Sequence, residues 1–207
     1  MAHNVAAVVR LMLVTDDRLV EGRDLVALAL AAERGGATAV QLRLKRASPR
    51  ELAESARALI QVLRIPLLVN DRPDVALAAR AAGVHLGPDD LPVALARRVV
   101  PPGFIIGASV GSIEEAAQAS DADYWGIGPW RTSSSKADAG EALGPEGFER
   151  LTRSAAGAPC IAIGGVRPED VGAVLGAGGV GVGVVSGILR EEDVELATRR
   201  YAAGLSS

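Results

Sequence analysis

The strongest constraint on the fold is a regular alternation along the chain. Short runs rich in Val, Ile and Leu recur eight times, at Val8–Thr15, Ala39–Lys45, Pro66–Asp71, Gly83–Gly87, Phe104–Ser109, Asp123–Gly128, Cys160–Gly165 and Gly179–Ser186. Longer stretches of helical period follow them: Asp24–Arg34, Pro49–Leu63, Pro73–Ala81, Pro92–Val99, Ser112–Ala119, Pro145–Ala155, Pro168–Leu175 and Val194–Ala203. Strands that are apolar throughout, each followed by a helix, demand a parallel sheet covered by helices. Helix starts agree: Ser48-Pro49-Arg50-Glu51 and Ser112-Ile113-Glu114-Glu115 set a capping hydroxyl ahead of a Glu, and Pro168 suits a first helical turn. Eight units in 207 residues leave about 26 residues for each, and eight such units close into a (β/α)8 TIM barrel. An open doubly wound sheet is the rival, but no G-x-G-x-x-G follows the first strand and no domain break is visible. The expectation is a single TIM-barrel domain over residues 1–207, with its core at about residues 8–203.

Charge and composition narrow the function. Lys and Arg number 22 against 25 Asp and Glu, a net charge of −3, and no basic block reaches five residues, which argues against a nucleic-acid partner. No apolar run approaches the roughly 18 residues of a membrane span. The opening residues lack the features of a signal peptide. The one cysteine, Cys160, excludes an internal disulfide framework and reads as a small buried hydrophobe, so a reducing cytoplasm is expected.

A parallel barrel puts its chemistry at the carboxyl ends of the strands. Strand two ends Gln41-Leu42-Arg43-Leu44-Lys45, and alternation sets Gln41, Arg43 and Lys45 on the inner face. Such a charged face either meets an anion or pairs with internal carboxylates. Strand three ends Asn70-Asp71, and Asp89-Asp90 follow strand four. Carboxylates at neighbouring strand mouths can share Mg²⁺, which takes one or two protein carboxylates plus phosphate oxygens; helix capping before Pro92 is the other reading of Asp89-Asp90. Ser133, Ser135 and Lys136, after strand six, offer donors to a phosphate or form a Ser-rich linker. Gly164-Gly165 and the turn after strand eight suit the phosphate cradle common to barrels. His85 reads as a satisfied barrel residue, and His3 receives no role. Trp125 and Trp130 either pack at the rim or wall the ligand site.

Taken in order, Gln41-x-Arg43-x-Lys45, Val69-Asn70-Asp71, Gly83-Val-His-Leu-Gly87 with Asp90, Gly107-Ala-Ser109, Gly128-Pro129 with Ser133-x-Ser135-Lys136, Ile163-Gly-Gly165 and Val185-Ser186 form a specific pattern. From Leu13 to about Tyr201 the chain resembles the thiamine phosphate synthase family. The resemblance implies a transferase that joins hydroxymethylpyrimidine pyrophosphate to thiazole phosphate, giving thiamine phosphate and pyrophosphate. It implies that Gln41, Leu42, Arg43, Leu44, Lys45, Asn70, Ser109 and Lys136 hold the pyrimidine pyrophosphate, with Arg43, Lys45, Ser109 and Lys136 acting in catalysis. It implies Mg²⁺ on Asp71 and Asp90, and thiazole phosphate on Ser133, Ser134, Ser135, Gly165, Val185 and Ser186.

Three departures stand out. Ser133 and Ser135 replace the family's usual threonines, and Pro88 replaces a common Gln. Related thiazole tautomerases carry a His two residues after the strand-five Ser, where this chain has Val110 and Gly111. A tautomerase-like paralogue and a non-catalytic thiazole-phosphate-binding protein are the alternatives. The expected partners are small phosphorylated molecules, with room for a homo-oligomer.

Overall fold

The computed structural model describes residues 4–132 and 141–206. Its strands are β1 (Leu11–Val14), β2 (Ala39–Leu42), β3 (Leu67–Asn70), β4 (Gly83–Leu86), β5 (Ile105–Val110), β6 (Tyr124–Ile127), β7 (Cys160–Ile163) and β8 (Gly181–Val184). They are all parallel, run in sequence order and close into a barrel, with Leu13 of β1 in register with Val184 of β8. The helices are α1 (Val5–Val8), α2 (Asp17–Val20), α3 (Leu25–Arg34), α4 (Pro49–Val62), α5 (Pro73–Ala79), α6 (Val93–Val99), α7 (Ile113–Gln118), α8 (Gly144–Ser154), α9 (Val171–Gly176), α10 (Ser186–Leu189) and α11 (Val194–Leu205). No described helix is long and apolar enough to cross a membrane.

Side-chain alternation along the strands builds two cores. Leu13, Val40, Leu42, Val69, Val84, Ile106 and Ala162 point outward into the layer between strands and helices. Met12, Val14, Ala39, Leu68, Ile105, Tyr124 and Ile161 point inward and fill the barrel. Burying each such Leu, Ile or Val contributes about 1.5–3 kcal/mol.

Three sequence boundaries are corrected. Val8 does not begin the first strand. It ends α1, where Val8 and Val9 join the inner core and plug the amino-terminal end of the barrel. Their apolar character comes from that plug rather than from the sheet. Strand two ends at Leu42, three residues short of Lys45. The strap that captures residues 43–46 is described below. Strand eight ends at Val184, and Ser186 instead starts α10. The capping signals behave as read. Ser48 and Glu51 form a reciprocal capping box, and Ser112 Oγ accepts from the Glu115 amide at 3.2 Å. Pro168 opens a single 3₁₀ turn, Pro168–Asp170, that leads into α9.

Candidate active site

A cavity of about 600 Å³ opens at the carboxyl ends of the strands. Its wall divides by strand. Gln41 of β2, Asn70 of β3, His85 of β4 and Ser109 of β5 give one polar half. Ile161 and Ile163 of β7, Gly183 of β8 and Val14 of β1 give an apolar half opposite. Arg43, Gly165, Val185 and Ser186 also reach the cavity from beyond the strand ends. Leu42 and Leu44 do not: Leu42 is buried in the outer layer and Leu44 packs against it, so only their backbones are available to a ligand. Ser133, Ser134, Ser135 and Lys136 lie outside the described residues.

The charged end of strand two is held by three consecutive residues after β1. Thr15 Oγ1 accepts from the Arg43 amide at 2.7 Å and donates to the Arg43 carbonyl at 3.1 Å. The Asp17 carboxylate accepts from the amides of Lys45 and Arg46 at 2.9 and 3.1 Å. Asp16 takes the Arg43 guanidinium, Nη1 to Oδ2, at 3.2 Å. These bonds replace the sheet ladder, which is why the strand stops at Leu42 while Arg43 still faces the cavity. Both strand-two cations therefore have carboxylate partners, for the Lys45 ammonium lies 3.2 Å from Asp71.

Asp71 and Asp90 meet beside the cavity. Asp71 stands in the left-handed region at φ +65°, a costly conformation for a side chain that is kept where the surroundings fix it. Its amide donates to the His85 carbonyl at 2.8 Å. Asp90 accepts from the Gly87 amide at 2.7 Å and does not cap a helix, and Pro92 stands at the start of α6 without a side-chain cap. Burial pushes the Asp90 carboxyl up to about 6, and the hydrogen bond and charge of Asp71 push the same way, against the Gly87 amide and the pull of Lys45. Two carboxylates crowded so closely suit a hard divalent cation that keeps water and phosphate oxygens as its other ligands, as Mg²⁺ does. Among the described residues no cluster of three or more His, Cys, Asp or Glu offers a fuller metal cage.

Across the mouth, Gly164 and Gly165 hold φ +80° and +73°, and a Cβ on either would come within about 3.0 Å of Pro129 or Arg131. Arg131 grips Asp170 through Nε at 2.9 Å and Nη2 at 2.5 Å, tying the segment after β6 to the turn after β7. That guanidinium holds the Asp170 carboxyl below the usual carboxylate range, helped by the Arg167 amide.

Asp16, His85 and Glu115 also line the cavity, with no ligand role assigned to them by the sequence. Asp16 follows strand one as Asp71 follows strand three, so the strand-end rule alone could have raised it. His85 stands on the inner face of β4, and parity puts it in the cavity wall. It joins Tyr124 Oη through Nδ1 at 2.8 Å and Ser109 Oγ through Nε2 at 2.9 Å. Burial raises the Tyr124 phenol above its ordinary range, opposed by the Gln41 amide. Glu115 also lines the wall and accepts from the Gly111 amide at 2.5 Å. The tryptophans are structural. Trp125 Nε1 donates to the Ala119 carbonyl, and Trp130 packs edge-on against Phe148 at 5.5 Å. Cys160 is buried, and its thiol is pushed up to about 11.

Comparison with known proteins shows the family. Residues 11–188 match the profile of the thiamine monophosphate synthase family. A thiamine-phosphate synthase of Azorhizobium caulinodans is 50% identical over 194 residues, 91% of each chain. One from Methanospirillum hungatei is 44% identical over 93% of this chain and 95% of its own. The solved thiamine phosphate pyrophosphorylase of Pyrococcus furiosus superposes with TM-score 0.88 at 37% identity, covering 98% of both chains. A 3-hexulose-6-phosphate synthase reaches TM-score 0.73 at only 16% identity, a likeness of fold alone. On the length and identity of these matches, the chain belongs to the thiamine monophosphate synthase family and is a transferase.

Proposed function

We infer that the cavity condenses hydroxymethylpyrimidine pyrophosphate with thiazole phosphate, releasing pyrophosphate and forming thiamine phosphate. One observation carries the reading. The mouth has a charged side, with Arg43, Lys45, Asp71 and Asp90 beside the polar wall, and a glycine side, with Gly164-Gly165 and Val185-Ser186 opposite. Two phosphorylated substrates need two anion subsites with the reacting atoms between them.

In this reading Gln41 and Asn70 orient the aminopyrimidine end. Arg43 and Lys45, with Lys136, take up the charge that grows on the pyrophosphate as the carbon–oxygen bond breaks. Mg²⁺ held by Asp71 and Asp90 would supply Lewis-acid neutralisation of that charge. Ser109 donates to a pyrophosphate oxygen. The electron-rich ring can carry a positive benzylic-type carbon, so departure can run ahead of attack. The thiazole nitrogen has no proton to lose, so no general base is required. Positioning is the remaining task, and a ligand-filled cavity supplies it by excluding water. We also take residues 1–207 as one domain working in the cytoplasm. The closure of β8 on β1 and the packing of α11 on α3 support the first part, and the lone cysteine supports the second.

Incubation of the protein with both substrates and Mg²⁺ tests the reading. Thiamine phosphate and pyrophosphate should appear in equal amounts. Tight binding of both substrates with no product would overturn it in favour of a binding protein.

A further inference from the structure

We propose that Tyr124 is a positioning residue. It fixes the buried His85 ring with its proton on Nε2, and so obliges Ser109 to present its hydroxyl hydrogen to the ligand. The proposal deepens the reading of the cavity as a pyrophosphate site and rests on it.

A neutral imidazole has one N–H, so it donates on one side and accepts on the other. His85 is held on both sides, by Tyr124 at Nδ1 and Ser109 at Nε2. The Tyr124 oxygen has two further neighbours. One is the Gln41 amide, whose hydrogen bond favours the phenolate as a donor's does, and the other is Met12 Sδ at 3.9 Å. A thioether is a weak acceptor, and at that distance it takes little from a phenol. The good acceptor for the phenol proton is therefore His85 Nδ1. Nε2 then carries the ring hydrogen and donates it to Ser109 Oγ. The Ser109 hydrogen is left free to turn into the cavity, where it can meet an anionic oxygen. The opposite tautomer would take the Ser109 hydrogen for Nε2 and face the ligand with lone pairs only. A phosphate would then be repelled where it should be held.

The barrel is built around this chain of groups. A Cβ at Gly107 would stand 2.2 Å from Tyr124 Cζ, and one at Gly126 would stand 3.1 Å from His85 Cε1. Two inward positions on β5 and β6 are thus left without side chains, and the two rings pack into that space at a centroid distance of 5.5 Å. Tyr124 is fully buried and touches no cavity surface, so it acts only through the wall residues it pairs with, His85 foremost.

The test is nitrogen-15 NMR of the histidine-labelled protein near neutral pH without substrates. The chain has two histidines, and a His3→Gln variant assigns the signals. His85 should show Nε2 protonated and Nδ1 as a hydrogen-bond acceptor. Finding the proton on Nδ1, or on both nitrogens, would overturn the proposal. Tyr124→Phe keeps the ring and removes the donor. It should shift His85 toward the other tautomer and lower kcat for thiamine phosphate formation about tenfold or more, with the KM for thiazole phosphate unchanged. His85→Gln puts an amide N–H where Nε2 stands and needs no tyrosine to orient it. In that background Tyr124→Phe should cost nothing further, whereas an equal loss in both backgrounds would mark Tyr124 as a packing residue only. If the wild-type protein makes no thiamine phosphate, the functional reading fails while the NMR result still decides the tautomer.

Discussion

The Arg43 guanidinium and the Asp16 carboxylate leave only 17% and 19% of their side chains exposed, and they meet at 3.2 Å. A pair so enclosed preorganises the fork of donors but cannot be cut on one side without stranding a charge. Arg43→Met should therefore lower the stability of the ligand-free protein by about 2 kcal/mol, less than the roughly 3–5 kcal/mol of a fully buried pair. It should also remove most of the thermal shift produced by pyrophosphate with Mg²⁺. Adding Asp16→Asn should restore the melting temperature and leave the ligand response lost. If the shift survives in Arg43→Met, the guanidinium is a structural residue alone. Alternation along the strands is a local property, so Gln41 could be placed on the inner face from sequence, whereas Asn70 and Ser109 rest on the family resemblance. Asp16 could not be matched to Arg43 that way, because the pairing depends on the register of Val14 with Gln41 across two strands. His85 was passed over for a related reason. A histidine inside an apolar run looks satisfied, and only the cross-strand neighbours Tyr124 and Ser109 give it a task.

At the level of elements, the capping box at Ser48 and the order of strands and helices were legible because they rest on neighbours within one turn. The ends of β1 and β2 were not. Val8 and Val9 are apolar as a plug, and the chain after Leu42 leaves the ladder because Thr15 and Asp17 satisfy its amides. The link between the β6 and β7 ends makes a pH prediction. Asp170 has only 7% of its side chain exposed, and Arg131 depresses its pKa. A carboxyl with a depressed folded pKa adds stability above its ordinary value, and the gain is lost as pH falls through the folded value. Asp170→Asn should cost about 1–2 kcal/mol near neutral pH, discounted for the half-exposed Arg131, and should flatten the acid side of the melting profile. An unchanged profile would show that the pair does not tie the loop ends together.

Across the whole molecule, eight parallel units force one arrangement. The strands converge, their inner residues fill the floor, and their carboxyl ends become the rim on which the strand-borne polar groups gather. In this chain β2 to β5 carry the polar wall, while β7 and β8 supply apolar residues and glycine. The rim could be expected from the spacing of runs alone. Its division into a charged side and a glycine side needed the closed order of strands. In the function we propose, the charged side drives pyrophosphate departure through the carboxylate pair of Asp71 and Asp90. The direct measurement is kcat for thiamine phosphate formation against Mg²⁺ concentration, in the wild type and in Asp71→Asn. Turnover in the wild type should depend on Mg²⁺. The variant should lose about a hundredfold or more at matched Mg²⁺, with the melting temperature nearly unchanged. Turnover that ignores Mg²⁺, or a folded Asp71→Asn protein with wild-type kcat, would contradict it.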